Sequence, residues 1–297
     1  MGAVLDHWLI PLIIACAVTL SVLWLLLSRL GQLALDTPNH RSLHEVPVPR
    51  TGGWAVIGGV AAGLAIGQLS ISPQVLLAFF ALFAVSLIDD LRPLRARTRF
   101  FVQILSVLLV LYALAPDVAH WSVWILLLFG GVWVINLYNF MDGMDGFAGS
   151  MTAVGFTSLG VICAWQGAAE LAGICFLVAA CSVVFLYYNW PQARIFLGDA
   201  GSTVIGLAVF AVSITGWHQG VFHWLIPLLI FCPFWLDATA TLLWRVVRGE
   251  RWWEAHRQHL YQRVALRFGV RTSLFIELSV MASTSLMALL LVVSGLA

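Results

Sequence analysis

Residues 119–146 read AHWSVWILLLFGGVWVINLYNFMDGMDG, an apolar run that ends in a cluster of Asn, Asp and Gly. A helix needs about 20 apolar residues to cross the hydrocarbon core of a bilayer, and this run has that length. The pattern extends to the whole chain, because 61% of the 297 residues are hydrophobic and only 10% are charged. A soluble domain carries roughly 25% charged residues. The composition therefore predicts an integral membrane protein.

Apolar runs of suitable length predict about ten transmembrane helices in a single all-α membrane domain that covers residues 1–297. The runs lie near 8–28, 52–71, 74–88, 100–116, 119–141, 147–169, 171–189, 201–217, 221–244 and 272–296, and the third and fourth are short. The first run is too long for a signal peptide and lacks a basic segment before it, so we expect it to remain as a span. All five cysteines lie inside apolar runs, which predicts small core residues rather than disulfides or a metal cage.

The arginines predict the orientation of these spans. The chain has no lysine, and its 15 basic residues are all arginine; three follow the first run, four the third, one the seventh and seven the ninth. With ten spans, all these loops face one side, which the positive-inside rule assigns to the cytoplasm, and both termini face out. The expected cytoplasmic loops lie near 29–51, 90–99, 141–147, 190–200 and 245–271.

Four polar clusters lie at the expected cytoplasmic ends of the spans. They are Asp89-Asp90, the set Asn136, Asn139, Asp142 and Asp145, the segment FLGDAGS at 196–202, and HRQH at 256–259. Helix capping explains any single aspartate, but it requires neither adjacent carboxylates nor two Asp-Gly steps with paired asparagines. Clustered oxygen ligands without thiolates are typical of Mg²⁺ or Mn²⁺ held together with phosphates. The clusters therefore predict a phosphate–metal site.

The segments around these clusters favour the same chemistry. Gly143 and Gly146 let the backbone bend, so that the neighbouring aspartates can turn into a common pocket. The Gly-rich turn at 198–202 opens an apolar helix whose free N–H groups favour an anion; a plain Asp/Ser cap is the alternative there. An arginine between two histidines, as in 256–259, suits a pyrophosphate because the planar guanidinium grips phosphate oxygens.

The motifs together carry a resemblance that covers nearly the whole chain. DTPNHRSLHEVPVPRTGG (36–53), Asp89-Asp90, NLYNFMDGMDG (136–146), NWPQARIFLGDAGS (189–202) and HRQHLYQR (256–263) stand in the order typical of one family. The chain resembles the polyprenyl-phosphate N-acetylhexosamine-1-phosphate transferases, the MraY/WecA superfamily or glycosyltransferase family 4. HRQH followed by Leu-Tyr-Gln departs from the consecutive histidines of MraY and is similar to the O-antigen-initiating, WbpL-like branch.

The resemblance implies a reaction. Undecaprenyl phosphate attacks the β-phosphorus of a UDP-N-acetylhexosamine, which gives undecaprenyl-diphospho-sugar and UMP as the first step of O-antigen or surface polysaccharide synthesis. It also implies Mg²⁺ or Mn²⁺ as cofactor, the bacterial inner membrane as location, membrane lipids as surroundings and no nucleic-acid partner. A homodimer stays open.

By motif position, the resemblance implies a role for each candidate residue. Asp199 would ligate Mg²⁺, with Asn139 or Asp142 nearby, and Asp142 also counts among the catalytic candidates. Asn189, Phe196 and Asp145 would hold the uracil, Asn136 would belong to the substrate-binding set, and His256, Arg257 and His259 would bind the diphosphate. Asp89 and Asp90 would face the lipid phosphate as a base or an electrostatic guide.

Two other classes of function stay open on the residues alone. A secondary transporter of an anionic solute would use charges near the bilayer midplane, and Asp237 in the ninth run, with Arg245 eight residues on, is the candidate. No internal repeat supports the transporter. A non-catalytic membrane scaffold would explain none of the clustered aspartates.

Overall fold

The computed structural model describes residues 2–38, 43, 45–115, 117, 120–251 and 256–296, with side chains from residue 7 onward. The described chain is mostly helical. Its helices are α1 (Gly2–Arg29), α2 (Gly52–Ile66), α3 (Pro73–Leu91), α4 (Ala96–Leu114), α5 (Trp121–Phe140), α6 (Phe147–Trp165), α7 (Ala169–Asn189), α8 (Gly198–His218), α9 (Leu225–Ile230), α10 (Cys232–Val247), α11 (Leu260–Phe268) and α12 (Val270–Val293). Two short strands, β1 (Leu35–Asp36) and β2 (Val48–Pro49), pair antiparallel. The sequence did not predict this pair, and residues 39–42 and 44 between the strands lie outside the described residues.

The prediction of a helical, multi-pass membrane protein is confirmed. Eight described helices, α1, α3 to α8 and α12, are long and apolar enough to cross a membrane. Two predicted spans look different in the structure. The second forms the 15-residue helix α2, and the ninth is divided at Phe231 into α9 and α10. Pro233 lies in the first turn of α10, where a proline without an N–H group cannot continue the preceding helix.

The third and fourth runs, which the sequence predicted as short spans, form helices of 19 residues each. Helix α3 continues through Asp89 and Asp90, and α4 begins before Arg97 and Arg99, so the polar residues extend the helices beyond the apolar runs. Helix α11 lies within 245–271, which was predicted as a loop. It forms there because its buried face, which includes Tyr261, packs against the bundle.

Helices α6 and α8 form the centre of the bundle. In each, 78% of an apolar stretch of 18 residues is buried inside the protein, compared with 28% of the corresponding stretch in α1, α4, α5 and α12. One cluster of buried side chains joins α8 to α6 and α7 through residues such as Ile205. A second cluster joins α8 to α3, α4 and α5 through residues such as Leu207. The position of α8 therefore determines where its N-terminal residues lie relative to the other helices.

Helix α2 crosses the start of α8 in direct backbone contact. The N–H of Gly53 donates a hydrogen bond to the carbonyl of Leu197 at 2.8 Å. A β-carbon at Gly53 would overlap the Cα of Gly201. Glycine at both positions thus allows α2 and α8 to approach closely.

We expect Gly53→Ala to destabilise the protein by about 2 kcal/mol or more, because overpacking against backbone cannot be relieved by a side-chain rotation. Gly58→Ala is the matched control, since a β-carbon at Gly58 meets nothing within 4 Å. Thermal unfolding of the two purified variants in detergent measures the difference. Equal unfolding temperatures would contradict the close contact between α2 and α8.

Candidate active site

A cavity of about 890 Å³ lies where α3, α5 and α7 end and α4 and α8 begin. Most of the predicted site residues line it, namely Asp89, Asn136, Asn139, Asp142, Asp145, Asn189, Phe196, Asp199, His256 and His259. The two other predicted residues, Asp90 and Arg257, lie outside this lining. The structure therefore brings all four sequence clusters to one place.

Asp90 lies behind the cavity wall and caps helix α8. Its carboxylate accepts hydrogen bonds from the backbone N–H groups of Asp199 and Ala200, at 2.9 and 3.1 Å, and from the Trp54 indole at 3.3 Å. The N-cap residue of α8 is Leu197, which has no side-chain acceptor. Asp90 thus supplies from α3 the side-chain acceptor that the N-cap residue of α8 lacks. This geometry gives Asp90 a structural role at the start of α8.

Asp89 lines the cavity and Asp90 does not, which fits the offset of about 100° between adjacent helical residues. One oxygen of Asp89 accepts the N–H of Leu94 at 2.6 Å, and the other lies 3.0 Å from the Arg99 guanidinium. The same guanidinium lies 3.4 Å from Asp199. Arg99 therefore joins the carboxylates of Asp89 and Asp199 across one wall of the cavity.

Asp142 lies on the turn between α5 and α6, next to the start of α8. Its carboxylate accepts a hydrogen bond from the N–H of Gly198. Removal from bulk water, and then the nearby carboxylates of Asp199 and Asp90, raise the pKa of Asp142 well above its ordinary range. The neighbouring carboxylates thus disfavour the charged form of Asp142, and a cation bound beside them would stabilise it.

The two asparagines of α5 have different surroundings. Asn136 donates to the side-chain oxygen of Gln103 and to the carbonyl of Val132, both at 2.8 Å, so its amide hydrogens are used within the protein. Asn139 lines the cavity one turn later, and its backbone carbonyl accepts the N–H of Asp142 at 3.2 Å. Asn136 thus ties α4 to α5, while the side chain of Asn139 faces the cavity.

The predicted uracil-binding residues shape the segment between α7 and α8. Buried Asn189 accepts the N–H of Gly146 at 3.0 Å and donates to the carbonyl of Ile195 at 2.8 Å. Asp145 accepts the N–H of Ala193 at 3.0 Å. These contacts hold the segment before Phe196 against the turn after α5. The Phe196 ring then lies at the cavity wall.

The histidines lie on the His loop, residues 248–259, of which 252–255 are outside the described residues. The rings of His256 and His259 are 4.9 Å apart. Burial, and then His259 and Arg245, lower the pKa of His256 to about 4, so the His256 imidazole is neutral at pH 7. Its Nδ1 accepts the N–H of Gln258 at 3.4 Å, which leaves the hydrogen on Nε2. Arg257, in contrast, is exposed.

Asp237, on which the transporter alternative depended, is used within the fold. Its carboxylate accepts the N–H groups of Leu260 and Tyr261 at 2.8 and 3.1 Å, and the hydroxyl of Thr241 at 3.0 Å. Asp237 therefore caps α11 and is not an unpaired charge at the bilayer midplane. The observation that favoured a transporter has a structural explanation.

The sequence reasoning missed several polar residues of the cavity. Arg50, Arg97, Arg99, Gln103 and Gln262 also line it. The guanidinium of Arg50 donates to the carbonyl of Asp90 at 3.0 Å and so supports the end of α3. From the sequence alone, Arg50, Arg97 and Arg99 served only to predict topology. Their clustering beside adjacent aspartates was an available signal for the site.

Comparison with known proteins assigns the chain to a family. The family model described as glycosyl transferase family 4 matches residues 72–217, the region of α3 to α8 that contributes Asp89, Asp142 and Asp199. The decaprenyl-phosphate N-acetylglucosaminephosphotransferase of Mycobacterium tuberculosis (strain H37Rv) is 30% identical over 287 residues, which cover 81% of this chain and 70% of that protein. The chain belongs to glycosyl transferase family 4.

Other relatives are similar over comparable lengths. The probable undecaprenyl-phosphate N-acetylglucosaminyl 1-phosphate transferase of Bacillus subtilis (strain 168) is 25% identical over 288 residues, covering 90% of this chain and 80% of that protein. The undecaprenyl-phosphate alpha-N-acetylglucosaminyl 1-phosphate transferase of Escherichia coli (strain K12) is 28% identical over 254 residues, covering 77% and 68%. The resemblance to glycosyl transferase family 4 seen in the motifs is confirmed.

In this member of glycosyl transferase family 4, Asp90→Asn should lower the free energy of unfolding by about 1–3 kcal/mol, because an amide leaves one oxygen for three N–H donors. Asp89→Asn should cost less than about 1 kcal/mol, since the amide oxygen can still accept from Leu94 and the Arg99 pair is partly exposed. Thermal unfolding of both purified variants is the measurement. A larger loss for Asp89→Asn would contradict the assignment of Asp90 as the cap.

Proposed function

We propose that the protein transfers N-acetylhexosamine 1-phosphate from a UDP-sugar to undecaprenyl phosphate, giving undecaprenyl-diphospho-sugar and UMP. The observation that carries the proposal is the grouping of Asp89, Asp142 and Asp199 with Arg99 in one cavity at the helix ends. Membership in glycosyl transferase family 4 supports it. So do the names of the relatives, which combine undecaprenyl or decaprenyl phosphate with N-acetylglucosamine phosphate transfer.

The nucleotide would bind near the segment between α7 and α8. The ring of Phe196 would offer a flat apolar face to the uracil. Its position is set by the hydrogen bonds that the side chains of Asn189 and Asp145 make with the backbone before it. The Nε2–H of neutral His256 would donate to a diphosphate oxygen. The exposed Arg257 would have to reach the phosphates from outside the cavity lining, whereas Arg50, Arg97 and Arg99 are already part of it.

The donor set of the cavity fits Mg²⁺ or Mn²⁺. Asp142, Asp199 and Asn139 offer hard oxygen ligands, and the carboxylates repel one another without a cation. Among the described residues, no three His, Cys, Asp or Glu side chains are grouped so as to hold a metal ion by themselves. Mg²⁺ commonly takes its remaining ligands from substrate phosphates and water. When bound, the ion would neutralise phosphate charge and orient the reacting groups.

The lipid phosphate would enter beside Asp89 and Arg99. Arg99 would attract it, and Asp89 would hold that guanidinium in place at 3.0 Å. A phosphomonoester is already largely dianionic at pH 7, with a second pKa near 6, so the attacking oxygen does not require a general base. Electrostatic stabilisation of the transferred phosphoryl group would then be the main catalytic contribution of the site.

We also propose that the chain crosses a bacterial inner membrane ten times, with both termini outside and the cavity on the cytoplasmic side. The one-sided arginines support this orientation, because every loop that carries them lies at the same end in the ten-span arrangement. A UDP-sugar is a cytosolic anion, so the cavity must be accessible from that side. Helix α2 and the pair α9–α10 would complete the ten crossings.

The proposed sugar class and the proposed pathway rest on the sequence motif after α10. HRQH with Leu-Tyr-Gln favours the O-antigen-initiating branch over the muramoyl-pentapeptide branch. An N-acetylhexosamine, including a deoxy sugar, is therefore the proposed substrate class. The relatives' names support N-acetylglucosamine within it.

The direct test is UMP release from a panel of UDP-sugars by the purified protein with undecaprenyl phosphate and Mg²⁺. We expect release with at least one UDP-N-acetylhexosamine and loss of release with EDTA. Asp199→Asn should reduce turnover by at least about 100-fold, because a metal ligand and phosphate-stabilising charge is lost. The variant should still insert and unfold at a temperature near that of the wild type. Near wild-type turnover in Asp199→Asn, or activity in EDTA, would contradict the metal assignment.

The orientation can be tested by labelling with a membrane-impermeant maleimide in a cysteine-free variant. Leu43→Cys and Gln258→Cys should react only after the cells are permeabilised, whereas Ala3→Cys should react in intact cells. The positive-inside rule predicts this difference. Strong labelling at position 43 or 258 from outside, with none at position 3, would reverse the proposed topology.

A further inference from the structure

Helix α10 carries two buried charges that both contact the His loop. Asp237 and Arg245 are eight residues apart, which places them two turns apart and about 80° from each other around the helix. Asp237 contacts Leu260 and Tyr261, just after the His loop. Arg245 contacts Arg251, near the beginning of the His loop. Neither residue lines the cavity itself.

The contact of Asp237 fixes the end of the His loop. Besides capping α11, the carboxylate lies 3.5 Å from the Nδ1 of His259, whose side chain is only 5% exposed. The His259 ring is stacked on Tyr261 at 5.8 Å, and the Tyr261 ring packs on Phe147 at 4.7 Å. The His259 ring therefore lies between the Asp237 carboxylate and the Tyr261 ring.

The contact of Arg245 fixes the beginning of the His loop. Its guanidinium lies 2.8 Å from the carboxylate of Glu250 and donates to the carbonyl of Arg251 at 2.8 Å. Arg245 is only 5% exposed, so this ion pair is screened less by solvent than a surface pair. Helix α10 thus holds the chain on both sides of the loop.

We propose that Asp237 and Arg245 are positioning residues that hold the described ends of the His loop, so that His256 and His259 face the diphosphate of the bound nucleotide sugar. This inference rests on the proposed function. It explains why two charges lie in a helix next to apolar surroundings, where an unpaired charge would be costly. It also predicts that these residues affect binding of the nucleotide sugar and not binding of the lipid phosphate.

The kinetic test is a double-mutant cycle on the full-length protein with Asp237→Asn and His259→Gln. Asp237→Asn should raise the KM for the UDP-sugar about tenfold and leave the KM for undecaprenyl phosphate within about twofold. The double variant should lose less than the two single effects combined, because Asp237 acts partly through that ring. Glu170→Gln, which removes an exposed carboxylate from the first turn of α7, is the charge control.

A merely structural role would give a different result. It would lower kcat, raise both KM values and add to the effect of His259→Gln, and that outcome would overturn the proposal. If Asp237→Asn does not fold, Arg245→Met provides the same test at the other end of the loop. Its matched control is Arg248→Met, since Arg248 is exposed and packs over Trp244 at 4.4 Å.

A labelling experiment separates this inference from the proposed function. Ala265, 6% exposed on α11, is replaced by cysteine in a cysteine-free variant, and its maleimide reaction rate is measured in detergent. Asp237→Asn should increase this rate severalfold, and Glu170→Gln should not. An unchanged rate would overturn the positioning role even in an active enzyme. A faster rate in a protein that releases UMP from no UDP-sugar would support the anchoring of the loop and refute the proposed function.

Discussion

The carboxylate of Asp90 accepts two N–H groups in the first turn of α8, and the geometry of the cavity follows from this contact. It joins the end of α3 to the start of α8, two elements that are far apart in the sequence. Because Asp89 precedes Asp90 and Asp199 lies in the capped turn, the same contact sets the distance between these two carboxylates. The cap of α8 therefore fixes where these two carboxylates lie relative to each other.

Close backbone approach around the start of α8 supports that cap. The N–H of Phe196 donates to Pro49, and its carbonyl accepts from Gly52, both at 2.8 Å, so the segment before α8 pairs with the segment before α2. Gly198 has a φ of +75°, and a β-carbon there would overlap the carbonyl oxygen of Arg50. Only glycine fits both the left-handed backbone and the contact. The motif glycines therefore serve the packing that brings the aspartates together.

Several carboxylates of the cavity lie close together. Asp89, Asp142 and Asp199 lie near one another, and Arg99 pairs with only two of them. Like charges held together in a partly dry site are costly, and proteins retain such arrangements mostly where function needs them. Asp237 and Asn136 differ from this group, because each is satisfied by protein donors or acceptors. Asn136 and Asp237 thus hold neighbouring elements together, and the cavity aspartates are the group proposed to meet a ligand.

The sequence by itself determined that the chain is a helical membrane protein and that its chemistry lies in aspartate, asparagine and histidine clusters at span ends. Apolar length and motif order are properties of short segments, so they are visible without a fold. Only the tertiary structure decided that Asp90 caps α8 while Asp89 faces the cavity, because this depends on which N–H groups lie nearby. The same reason explains why the sequence indicated only topology for Arg99 and only a candidate transporter charge for Asp237. The partners of Arg99 include Asp199, four helices later, and those of Asp237 lie on α11, a helix that the apolar pattern did not predict.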